Sequence, residues 1–87
     1  MRKYFNGKKH INSLQDAIAY ETDMVEINRL KEPSPLEAGD YPYTGCFKYE
    51  NDMYFISITI KWTDDDIGKP YLDTVEVNSC TKILHNN

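Results

Sequence analysis

Residues 53–62 read Met-Tyr-Phe-Ile-Ser-Ile-Thr-Ile-Lys-Trp. Tyr54, Ile56, Ile58, Ile60 and Trp62 share one parity, while Phe55, Ser57, Thr59 and Lys61 take the other. Alternation over this length predicts a strand with one buried and one wet face. The segment before it carries Tyr41, Tyr43, Phe47 and Tyr49 at the same period, and the segment after it carries Val75, Val77 and Ile83. In that last segment Thr74, Glu76, Asn78 and Lys82 are the outward residues. Three strands at about 41–50, 53–62 and 71–83, in an antiparallel meander with 53–62 in the middle, follow from this pattern.

Turn chemistry suggests a register. Asn and Asp tolerate positive φ better than other non-glycine residues, so Asn51-Asp52 is the expected two-residue type I′ loop. It pairs Glu50 with Met53, and then Tyr49 with Tyr54, Phe47 with Ile56, Gly45 with Ile58, Tyr43 with Ile60 and Tyr41 with Trp62. Every pair falls on the apolar face, whereas a slip of one residue would put Lys48 and Cys46 there.

Upstream, Asn6-Gly7 is a hairpin signal between Arg2–Phe5 and Lys8–Ile11. Ser13 reads as a helix N-cap with Asp16 three residues on. Leu14, Ala17, Ile18 and Val25 share a helical face, with Gln15, Asp16, Ala19 and Glu21 outside or at its edge. Val25 and Ile27 alternate with Glu26, so the expected helix covers about 13–22 and residues 24–30 are expected to be extended. Pro33, Pro35, Gly39 and Pro42 make 32–42 an ordered connection without regular structure. The expected fold is a small single α+β domain over residues 1–87. Its meander carries the N-terminal helix on one face and a short N-terminal hairpin beside it.

Length and composition agree with one small core. The chain has 87 residues, of which 13% are aromatic, which argues against disorder. No apolar run reaches the ~18 residues of a membrane helix. The start, Met1 to Lys9, has charge but no apolar stretch after it, so a signal peptide is not expected and a cytoplasmic protein is. The net charge is −4. Arg2, Lys3, Lys8 and Lys9 make the first ten residues +4, and the remainder carries six basic against fourteen acidic side chains. An acidic body repels phosphate at range and suits a basic protein surface. Asn, Ile, Lys and Tyr, all with AT-rich codons, supply 30 residues. That bias points to an AT-rich bacterium, phage or mobile element.

The chemistry-bearing residues are sparse. Cys46 and Cys80 are the only cysteines. If 53–62 lies between their strands they stand two strand spacings apart, about 9–10 Å, beyond the ~7 Å that a disulfide spans. Free thiols are therefore expected. No Cys-x-x-Cys occurs, and only His10 and His85 are left to complete a metal set, so no metal and no cofactor are expected. Asp64-Asp65-Asp66 with Gly68 resembles part of a calcium loop. Its acids are consecutive rather than alternate, however, and position 72 is Leu, so the motif fails. The Tyr41/Tyr43/Phe47/Tyr49 stripe shares a face with the isoleucines and lacks interleaved cations, which makes it core rather than a base-stacking platform. No phosphate loop, nucleophile elbow or dinucleotide glycine pattern is present.

A non-catalytic protein-binding protein is the reading left standing, in its most specific form a phage or mobile-element inhibitor. It would block a bacterial enzyme or defence complex by docking on a basic surface in the host cytoplasm. The expected contacts are Asp64, Asp65 and Asp66 on a hairpin tip, Tyr71 beside them, and Phe55, which stands alone on the polar parity of its strand. Two other readings remain open. One is an anionic ligand, a nucleotide or metabolite, held by Arg2, Lys3, Lys8 and Lys9. The other is nucleic-acid binding through that basic end. A homodimer through the edge bearing Val75 and Val77 also remains open.

Overall fold

The computed structural model describes residues 11–83. The expected Asn6-Gly7 hairpin lies outside the described residues, as do Arg2, Lys3, Lys8, Lys9 and both histidines. Four elements follow in order: α1 (Leu14–Leu30), β1 (Gly39–Tyr49), β2 (Asp52–Asp64) and β3 (Pro70–Lys82). The strands form one antiparallel sheet in the order β1-β2-β3, the expected meander. With α1 on one face, this is a small α+β domain.

β2 carries the core. Ile56, Ile58, Ile60 and Trp62 are buried from this strand, joined by Phe47 from β1 and by Ala17 and Val25 from α1. Leu14, Ile18, Tyr43, Tyr49, Tyr54, Leu72, Val75 and Cys80 pack around them. Burying three isoleucines in full contributes about 1.5–3 kcal/mol each relative to leaving them in water.

The helix starts as its sequence dictates. Ser13 is the N-cap, with φ −153° and ψ 166°, and its hydroxyl accepts from the Asp16 N–H at 3.1 Å. Asp16 Oδ2 in turn accepts from the Asn12 N–H at 3.1 Å, so one carboxylate and one hydroxyl close the first turn. The expected extended segment at 24–30 is corrected: the helix continues to Leu30. Val25 lies eight residues beyond Ala17, so both fall on the face packed against β2. Thr22 is accommodated because its hydroxyl donates to the Ile18 carbonyl at 2.8 Å. Lys31 caps the end, and Pro33 prevents further helix.

The hairpin register is corrected by two residues. The loop is Glu50-Asn51, with Glu50 at φ 56°, and Tyr49 pairs with Asp52. Phe47 then faces Tyr54, Gly45 faces Ile56, Tyr43 faces Ile58, Tyr41 faces Ile60 and Gly39 faces Trp62. This register stacks Phe47 on Tyr54, with ring centroids 5.6 Å apart. A shift of two keeps every side chain on its expected face, so the apolar pattern cannot tell the two registers apart.

β3 departs from simple alternation. Its register against β2 shifts twice, leaving Asp73 and Asn78 without a partner residue. Both side chains reach the hydroxyls of β2's outer face. The Thr63 hydroxyl donates to Asp73 Oδ2 at 3.0 Å, and the Asn78 amide meets Thr59 Oγ1 at 2.9 Å. The bulge at Asn78 flips the parity beyond it. Cys80 therefore faces inward opposite Ile56, and Lys82 pairs with Tyr54. Ile83, whose N–H reaches the Met53 carbonyl, does not join the inward row as the alternation suggests.

A candidate docking surface at the loop end of the sheet

Three segments converge where β2 ends. Gly39 opens β1 opposite Trp62, α1 ends at Leu30, and the Asp64–Pro70 pair closes the β2–β3 loop. The connection between α1 and β1 therefore lies beside the acidic loop. A groove of about 330 Å³ separates them, walled by Glu32 and Ser34 on one side and by Asp65 and Lys69 on the other, with Trp62 and Leu72 also lining it. A second hollow of about 270 Å³ adjoins it through Arg29, Glu32 and Trp62 and reaches Pro33, Pro35 and Tyr41.

The acidic loop is built around one of its three aspartates. Asp65 Oδ1 accepts from the Ile67 N–H at 3.0 Å and from the Lys69 N–H at 2.8 Å. Its backbone N–H bonds the Lys69 carbonyl, and its carbonyl receives the Gly68 N–H. Gly68 has φ 81°, a conformation that favours glycine. Asp65 is thus committed to holding the loop, and Asp64 and Asp66 are left pointing to solvent as charges. The opposite loop is braced as well. The Tyr41 hydroxyl donates to the Glu37 carbonyl at 2.7 Å, and Pro33 and Pro35 restrict the chain between.

Apolar exposure is concentrated at this end. Of the seven large hydrophobic side chains exposed among the described residues, Leu30, Leu36, Tyr41, Ile67 and Tyr71 belong to it. Leu36 is 98% exposed and Ile67 84%. The charges around them are unbalanced: Glu32, Glu37, Asp40, Asp64, Asp65, Asp66 and Asp73 stand against Arg29, Lys31, Lys61 and Lys69. One pair is internal, since Arg29 Nη1 meets Glu32 Oε1 at 2.8 Å and the same guanidinium lies 5.7 Å from the centroid of the Tyr43 ring.

The five expected contact residues do not form one patch. Asp64, Asp65, Asp66 and Tyr71 lie together at the loop end. Phe55 pairs with Cys46 and Thr81 on the outer face, nine residues along β2 from Asp64. That is about 30 Å of extended chain. Leu30, Leu36 and Ile67 escape the sequence analysis, because strand alternation ranks inward residues and says nothing about loop tips. The available signal is local: Leu36 follows Pro35 and Ile67 precedes Gly68, each an apolar residue set in turn-forming chemistry.

Reactive chemistry is thin elsewhere. A cleft of about 610 Å³ beside the start of α1 is lined by Asn12, Ala17, Phe47, Tyr49 and Glu50, among others. The Tyr49 hydroxyl is held above its ordinary value of 10.0 by burial and then by the Glu50 carboxylate, so it stays protonated at neutral pH. Cys46 is exposed and Cys80 half-buried, and both are free. They flank β2 on opposite sides and on opposite faces, which separates them further than strand order alone. Among the described residues no group of His, Cys, Asp and Glu is placed to hold a metal ion. No helix among them is long and apolar enough to cross a membrane.

Comparison with protein-family models, with curated proteins and with solved structures found no match for this chain.

Proposed function

We propose that this chain is a non-catalytic docking protein that covers a basic site on a larger protein with the loop end of its sheet. The observation that carries the reading is the gathering there of five of the seven large hydrophobics exposed among the described residues. Single exposed apolar residues are ordinary, whereas several together beneath a charged rim are the composition of a contact surface. The carboxylates of that rim outnumber its cations seven to four, which suits a positively charged partner. In its most specific form the partner is a bacterial enzyme or defence complex and the protein is a phage or mobile-element inhibitor. The AT-rich residue usage supports that origin.

The test is an affinity pull-down from bacterial lysate, with and without nuclease, using the wild-type chain and an Asp64→Asn/Asp66→Asn variant. The reading expects a protein retained after nuclease treatment and depleted by the variant. Capture that disappears with nuclease, or that depends instead on Arg2, Lys3, Lys8 and Lys9, would replace docking by binding of an anionic ligand or nucleic acid.

A further inference from the structure

We infer that Leu36 and Ile67 are paired anchors that seat on a single folded protein partner, one whose surface is apolar at the two seats and basic around them. This rests on the docking function proposed above and names the partner's surface and the residues that read it. Both side chains sit on the loops at the same end of the sheet, the two loops that wall the groove between them, so one partner surface laid across that end meets both. Neither contributes to the core: Leu36 is 98% exposed and Ile67 84%.

Both tips are held rather than loose. Ile67's own N–H is bound by Asp65 Oδ1, and the loop is closed further by the Lys69 and Gly68 bonds to Asp65. The carbonyl of Glu37, the residue after Leu36, is held by the Tyr41 hydroxyl. An apolar side chain presented on a braced backbone loses little further freedom on binding, which is what an anchor needs. Each anchor also has a carboxylate as its neighbour in sequence, Glu37 beside Leu36 and Asp66 beside Ile67. The partner's surface is accordingly apolar where the two tips seat and basic immediately around them.

The experiment places a photo-crosslinking benzoylphenylalanine at position 36, at position 67 or at position 55, in the full chain exposed to bacterial lysate. Probes at 36 and 67 are expected to join the same protein, and the probe at 55 to stay silent. Excess unlabelled wild-type chain should suppress both adducts. A Leu36→Ser/Ile67→Ser variant should compete at least tenfold less well while melting at the wild-type temperature, because neither side chain packs on the core. If that variant competes as well as wild type while Asp64→Asn/Asp66→Asn does not, docking stands and the anchors are wrong. Different proteins trapped from 36 and 67 would also overturn the pairing. Competable adducts only from 55, or from none of the three positions, would overturn both the anchors and the docking surface.

Discussion

Gly45 lies beneath the ring of Tyr43, two residues back on the same strand. A Cβ built there would sit 2.8 Å from the Tyr43 hydroxyl oxygen and 3.2 Å from Cζ. The ring is also engaged by Arg29, so moving it disturbs the contact between α1 and β1. Gly45→Val is expected to destabilise the protein by about 1–3 kcal/mol through overpacking. Thermal melting checks this, and an unchanged melting temperature would mean that the ring does not cover Gly45. Alternation alone marks Gly45 as inward and small, but its cover is a tyrosine of its own strand rather than the helix. The thiols give a second test. Burial pushes Cys80 above its ordinary value of 9.0, whereas Cys46 is exposed. Cys46 should therefore react with a thiol reagent in the folded protein at a pH where Cys80 is still slow, and both should react after unfolding without reduction. The sign for stability follows. The folded state holds the Cys80 proton more tightly, so this contribution is fully present below the unfolded value and is lost as pH rises through the folded one. Equal reaction rates in the folded protein would contradict the inward placement of Cys80.

At the scale of elements, the meander and its faces are legible in residues 41–62 because a period of two survives wherever the strand stays regular. The register is not legible. Both candidate loops preserve the faces, and the observed one places Glu50 at φ 56°, which turn preference alone would reject. What offsets that cost is tertiary: the Phe47–Tyr54 stack and Gly39 beside the bulky Trp62. Helix length escapes for a similar reason. Val25, Glu26 and Ile27 alternate as a strand would, yet a helix of 17 residues spans about 26 Å and a ten-residue one only about 15 Å. The longer helix is what covers the buried row from Ile56 to Trp62. The bulges at Asp73 and Asn78 are invisible to a pattern that reads only apolar against polar. The sheet edges are managed by the same devices. In a two-residue hairpin the closing Tyr49–Asp52 pair is hydrogen-bonded, and Met53 turns its carbonyl to the Ile83 N–H. Pro42, an even number of residues from Lys48, therefore lacks its N–H on the open side of β1. With bulges breaking β3, neither edge is a flat template for a second copy.

At the scale of the whole fold, the described residues form a sheet with one helical layer, and its two ends differ in character. Near the β1–β2 loop, Lys82 and Asp52 form an exposed ion pair at 3.4 Å, of a kind that contributes little. The other end gathers the exposed apolar tips and the unbalanced acids. Loop position and charge in the sequence point to Asp64, Asp66 and Tyr71, while Leu30, Leu36 and Ile67 join them only because the fold brings the loops together. Asp65 is set apart from its neighbours because its carboxylate holds the loop. Its replacement would mix a structural loss with a change of charge. Steering by the end's field is therefore read most cleanly at Asp64 and Asp66, and Phe55, about 30 Å away along the strand, serves as the control on the other face. The most direct measurement is the association rate with the captured partner at two salt concentrations. Asp64→Asn/Asp66→Asn should slow association by about threefold to tenfold at low salt and flatten its salt dependence, while Phe55→Ala leaves both unchanged. Wild-type association rates in the double Asn variant, or binding lost on replacing Phe55, would contradict docking through the loop end.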